Sequence, residues 1–78
     1  MLSDVDKCAI RQQLARLLQT NYVDFEDDDL DDTICDAIDS IEFDDAGTRG
    51  QREALAYLRG FAEAHDVTLL SLVEEVRP

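Results

Sequence analysis

Two interleaved periodicities between residues 28 and 41 constrain this chain more than any other feature. Leu30, Ile34, Ile38 and Ile41 recur at i, i+4, i+8 and i+11, the repeat of one helical face. Asp28, Asp32, Asp36 and Asp39 follow the same repeat displaced by two residues. Two residues turn through about 200° on a helix. The sequence therefore predicts a helix with an apolar side and, opposite it, a row of carboxylates. That helix is expected to start near Asp27 or Asp28 and to end between Ile41 and Phe43.

The row belongs to a larger anionic block. The 78 residues hold 19 acids and 7 bases, a net charge of −12. Twelve of the acids (Asp24, Glu26, Asp27, Asp28, Asp29, Asp31, Asp32, Asp36, Asp39, Glu42, Asp44, Asp45) fall in residues 24–45, which contain no base. The remainder is balanced, seven against seven. Direct binding to DNA or RNA phosphates needs a basic stripe, because affinity comes from neutralising phosphates and releasing counterions. An anionic membrane is disfavoured by the same sign. No apolar run approaches the roughly 18 residues of a membrane span, and Met1-Leu2-Ser3-Asp4 lacks the start of a signal peptide. The expectation is a cytoplasmic protein. Disorder, the other reading of so acidic a chain, is opposed by a 45% hydrophobic fraction arranged periodically.

The remaining segments also read as helices. Ser3 and Asp6 resemble a capping box opening a helix over residues 4–20, with Ile10, Leu14, Leu17 and Leu18 on one face. Arg16, off that face, is placed to meet the acidic segment. Residues 21–26 read as a loop whose Tyr22, Val23 and Phe25 tuck against the core, or whose aromatics serve a partner as anchors. Gly47 and the Thr48-x-x-Gln51 box open a third helix over residues 49–65. Its inner face is Ala54, Leu55, Leu58, Phe61, Ala62 and His65, and Gly60 is expected to admit a close neighbour. Thr68 caps a short helix over residues 69–76, with a Val67–Leu72 staple and with Leu69, Leu72, Val73 and Val76 facing inward. The fold class is thus all-α: one domain over residues 1–78, a compact small bundle of three longer helices and one short C-terminal helix.

Chemistry is harder to place. Cys8 and Cys35 sit beside apolar residues and are expected as buried free thiols of a reducing compartment, with a disulfide between the first two helices as the alternative. With His65 the only histidine, no zinc-ligand spacing exists. Two calcium-loop registers fail. One puts Asp29 at the required glycine and Cys35 at the bidentate Glu; the other puts Asp32 and Ile38 there. No nucleophile lies beside a base and no Gly-rich phosphate loop is present, so no enzyme, catalytic residue, metal or cofactor is expected. The third and fourth helices have a helix-turn-helix layout, but Glu74 and Glu75 on the would-be recognition helix repel phosphates.

Asp39-Ser40-Ile41 resembles the Asp-Ser-Leu motif of acyl carrier proteins, whose serine carries phosphopantetheine. Length, acidity and helix count suit that family, and the resemblance implies a carrier modified at Ser40. In the family the serine begins a long helix; here Ser40 falls near the end of a predicted one.

Helix-end electrostatics favour Asp27, Asp28 and Asp29, but do not reach the acids from Asp36 to Asp45. Like charges there destabilise the helix. Successive carboxylates about 6 Å apart are comparable with phosphates along a nucleic-acid strand. The reading that follows is a small protein-binding module, an inhibitor whose carboxylate-lined helix occupies a basic, nucleic-acid-binding surface, as in nucleic-acid mimicry, anti-defence or antitoxin action. Asp28, Asp32, Asp36 and Asp39 supply the row, Glu42, Asp44 and Asp45 extend it, and Tyr22 and Phe25 are the apolar anchors. The bland alternative is a soluble acidic face without such mimicry, which the six arginines to one lysine also suit. A homodimer through leftover apolar surface on the first or fourth helix is a further expectation.

Overall fold

Four helices follow one another in the computed structural model, which describes residues 2–44 and 46–77: α1 (Asp4–Leu17), α2 (Leu30–Glu42), α3 (Arg49–Ala64) and α4 (Leu69–Glu75). The architecture is the all-α bundle of three longer helices and one short one. The hydroxyls of Ser3, Thr48 and Thr68 accept backbone N–H groups of Asp6, Gln51 and Ser71, satisfying donors that the first helical turn leaves open. Among the described residues, only Thr48 and Gln51 form a reciprocal capping box. Gln51 does more: its Oε1 accepts from the Thr48 N–H at 3.0 Å and its Nε2 donates to the Leu17 carbonyl at 2.9 Å. One side chain thereby ties the start of α3 to the end of α1.

α1 stops at Leu17, short of residue 20. Gln19 turns left-handed (φ 54°), and the Thr20 N–H donates to the Ala15 carbonyl at 3.0 Å. This is the six-residue closure that terminates helices. Asp66 (φ 55°) ends α3 in the same way, with Val67 N–H donating to the Ala62 carbonyl.

α1 and α3 form the main helix pair, α4 packs on both, and α2 packs on α3. Ile10, Leu14, Leu17, Ile34, Leu58, Leu72, Val73 and Val76 are fully buried, and among the described residues no charged or polar residue is buried. The radius of gyration is 11.7 Å, close to the roughly 11.5 Å of a folded chain this long, so α2 lies on the bundle and does not splay from it. Leu30, Ile34 and Ile41 anchor it and Ile38 is partly buried, each fully buried aliphatic contributing about 1.5–3 kcal/mol. Gly47 lets the α2–α3 connection pass close to α2: a Cβ there would stand 2.7 Å from Ile41 Cγ1.

Several expectations are corrected. Gly60 is exposed with nothing within 4 Å of a built Cβ, so no neighbour approaches it. His65 caps α3 exposed to solvent, its ring stacked on Phe61 at 4.3 Å. Val67 is 38% exposed. Both cysteines are free and exposed, because Cys8 lies two residues, about 200°, from buried Ile10, and Cys35 is turned about 100° from Ile34. In the loop, Val23 is buried and Phe25 is half-buried against the core, but Tyr22 is 78% exposed.

Candidate functional site

α2 begins at Leu30, later than the periodicity alone suggests. The reason lies in the aspartates before it. Asp24 Oδ1 accepts from the Glu26 N–H at 3.0 Å, and Asp27 Oδ1 from the Asp29 N–H at 2.9 Å. These local side-chain bonds offer the backbone an alternative to the helix. Asp29 occupies the N-cap position with no side-chain capping bond. Asp28 thus lies in the turn before the helix and not on it. It is exposed, but it does not share the helical register of the other three.

Within α2 the sequence pattern holds. Asp32, Asp36 and Asp39 are exposed, separated along the axis by about 6 and 4.5 Å and confined to an arc of about 60°. Among the described residues no ion pair reaches them. The opposite side carries Leu30, Ile34 and Ile41. No basic residue lies in the last turn, so the negative end of the helix dipole faces its own acids.

The other acids have occupations. Asp31 Oδ1 lies 3.3 Å from Arg77 Nη2, and Glu42 pairs with Arg59 of α3. Asp24 and Asp27 close turns. Asp44 is exposed beyond the helix, and Asp45 lies outside the described residues. Arg16 does not meet the acidic segment. Its Nη2 is 3.3 Å from Glu53 Oε2 on α3 and its Nη1 donates to Gln13. Helical period places Arg16 off the core face without fixing which neighbour that side confronts.

Of the aromatic anchors, Tyr22 stands free, while Phe25 is engaged within the fold. Arg77 Nη1 donates to the Phe25 carbonyl at 3.1 Å, and the Arg11 guanidinium lies 5.9 Å from the Phe25 ring centroid. Arg11 also donates from Nε and Nη2 to the Val76 carbonyl at 3.0 and 2.7 Å. The residue the sequence reading passed over is Phe43. It caps the C-terminus of α2 in helical conformation and is 78% exposed. Four residues beyond Asp39 and seven beyond Asp36, it continues the carboxylate row on the same stripe. The signal was present in the spacing, but Phe43 looked like part of the helix exit.

Ser40, the serine of the carrier resemblance, is half-buried in the last turn of α2. It lies on an uncharged flank with Thr33 and Ala37, about 80° from Asp32. Among the described residues no group of three or more His, Cys, Asp or Glu side chains is placed to hold a metal ion, and no helix is long and apolar enough to cross a membrane. Val5 (78% exposed) and Cys8 line a shallow depression on α1, and Leu70 is exposed on α4; the homodimer expectation would rest on these surfaces. Comparison with protein families, with curated proteins and with solved structures finds no match.

Proposed function

We propose that this chain is a small acidic protein-binding module that docks the outer face of α2 on a basic, nucleic-acid-binding surface of a partner protein. One observation carries the reading. Asp32, Asp36 and Asp39 stand exposed, and without ion pairs among the described residues, on one stripe of a helix whose opposite side is buried. A helix anchored in this way presents its carboxylates at fixed spacing, which favours electrostatic complementarity and fast encounter. Asp28 and Asp44 flank the row in sequence, and Tyr22 and Phe43, each 78% exposed, are the candidate apolar anchors. Action as an inhibitor, by nucleic-acid mimicry in an anti-defence or antitoxin setting, is the most concrete form of this proposal.

The test is binding to a nona-arginine peptide as a minimal basic partner, at low and moderate salt. The D32K/D36K double substitution lowers affinity about tenfold or more, since two attractions become repulsions of some tenths of a kcal/mol each or above. The effect shrinks as salt shortens the Debye length. An affinity unchanged by the double substitution, in a protein that remains helical, refutes the proposal.

A further inference from the structure

The outward side of α1 differs in character from the rest of the surface. Val5, Cys8, Gln12 and Ala15 fall within an arc of about 80° that points away from buried Ile10, Leu14 and Leu17. In a chain of which 33% is charged, the charged residues between Val5 and Ala15 (Asp6, Lys7 and Arg11) all lie outside that arc. Two hollows follow the stripe. One, of about 400 Å³, is lined by Val5, Cys8, Ala9 and Gln12; the other, of about 200 Å³, by Gln12, Ala15, Tyr22 and Phe25. Gln12 belongs to both, so they form one shallow, mainly apolar groove. Val5 and Tyr22, each 78% exposed, stand towards its two ends.

We propose that this groove is the contact surface of a symmetric dimer, occupied by a second copy of the chain. The groove is self-complementary. A two-fold axis at the level between Cys8 and Ala9 runs the two α1 helices antiparallel and sets Val5 of each copy opposite Gln12 of the other, as an isologous contact requires. Val5 then enters the smaller hollow of the other copy, beside Ala15, Tyr22 and Phe25. At the crossing point stand the small side chains Cys8 and Ala9, which let the helix axes approach to about 8 Å. Charge is complementary as well. Asp4 and Arg11 lie on one flank of the stripe, about 20° apart around the axis, and the two-fold brings Asp4 of each copy level, to within about 3 Å along the helix, with Arg11 of the other. Each copy carries a net charge of −12, most of it in residues 24–45. The uncharged stripe of α1 lets two such copies meet without apposing their α2 helices. The face is about one helix wide, so the interface falls below the roughly 1,200 Å² of stable complexes and the dimer is weak and transient.

The dimer does not rest on the basic-partner reading, and salt separates the two. Screening weakens binding of a basic partner but relieves repulsion between two anionic copies. Sedimentation equilibrium of the chain at about 20 μM and about 1 mM brackets the roughly 0.1 mM dissociation constant expected of so small an interface. Dimer is expected at the higher concentration, with association about threefold or more tighter near 0.5 M salt than near 0.05 M. Val5→Lys is expected to weaken association about tenfold or more, because it carries a charge into an apolar hollow. Leu70→Lys changes net charge equally at the exposed apolar position of α4 and is expected to leave association unweakened. A second measurement leaves Val5 in place. A short bis-maleimide is expected to join C35S chains through Cys8 and to leave C8S chains, which retain Cys35, unjoined. Monomer at the higher concentration in both salts, association weakened by salt, equal effects of the two lysines, or joining through Cys35 as readily as through Cys8 would each overturn the proposal.

Discussion

If the carboxylate row serves a partner, it is held at some expense of stability, and reversing one charge should stabilise the isolated protein. Asp36 is the substitution of choice because it is exposed, central and without an ion pair among the described residues. It faces Asp32 at i−4 and Asp39 at i+3 on the same stripe. Each like-charge pair of this kind destabilises a helix by about 0.2–0.5 kcal/mol, and an opposite-charge pair stabilises by a similar amount. D36K changes the sign of two pairs, and Lys exceeds Asp in helix propensity by a few tenths of a kcal/mol. The sum is a gain of about 1–2 kcal/mol, or a rise in Tm of about 4 °C or more for a domain of this size. D36N removes the repulsions without adding attractions and should give about half the electrostatic part. The assay is thermal unfolding by circular dichroism at low salt and near 1 M salt. At about 1 M the Debye length is roughly 3 Å, shorter than the spacing of the row, so most of the gain should vanish and the propensity part remain. A Tm lowered by D36K at low salt, or a gain of equal size at both salts, would refute the reasoning.

Three further outcomes follow from the fold. Gly60→Ala should stabilise by about 1 kcal/mol, the helix-interior difference between the two residues, because nothing lies within 4 Å of the added methyl; urea unfolding measures it, and a loss would mean that the position is crowded. Gly47→Ala should destabilise, since its Cβ would stand 2.7 Å from Ile41 Cγ1 and overpacking of this kind costs about 1–3 kcal/mol; no change in the unfolding midpoint would contradict the close approach. Gln51→Ala removes bonds to Thr48 N and Leu17 O and should lower stability by about 1–2 kcal/mol, with hydrogen exchange accelerating at both the end of α1 and the start of α3.

The helices themselves were legible because burial imposes period. The stripe Leu30, Ile34, Ile38, Ile41 and the opposing Asp32, Asp36 and Asp39 appear in the structure where the spacing puts them, as do the caps Ser3, Thr48 and Thr68. The boundaries were less so. Asp24 and Asp27 closed local turns and delayed α2, and Gln19, with neither the glycine nor the asparagine usual at that position, ended α1 in left-handed conformation. What period does not convey is which side chain faces which across elements. Arg16 turned to Glu53, whereas Arg59 and Arg77 took the acidic segment. Cys8 and Cys35 neighbour apolar residues in sequence yet point outward, because adjacency along a helix is a turn of about 100°. The candidate site was therefore readable as a row, but its length was not. Asp28 fell away into the preceding turn, Asp31 and Glu42 were taken by arginines, and Phe43 joined the stripe.

The central claim is that the three-carboxylate stripe of α2 engages a basic surface that otherwise holds nucleic acid. Its most direct test is capture from an extract of the native host, on the immobilised protein and on D32K/D36K in parallel, with elution by duplex DNA and by RNA at constant ionic strength. The account predicts a basic protein that is retained by the unaltered chain, lost with D32K/D36K, and released by nucleic acid. A partner retained equally by both chains, or one that nucleic acid fails to displace, would contradict it.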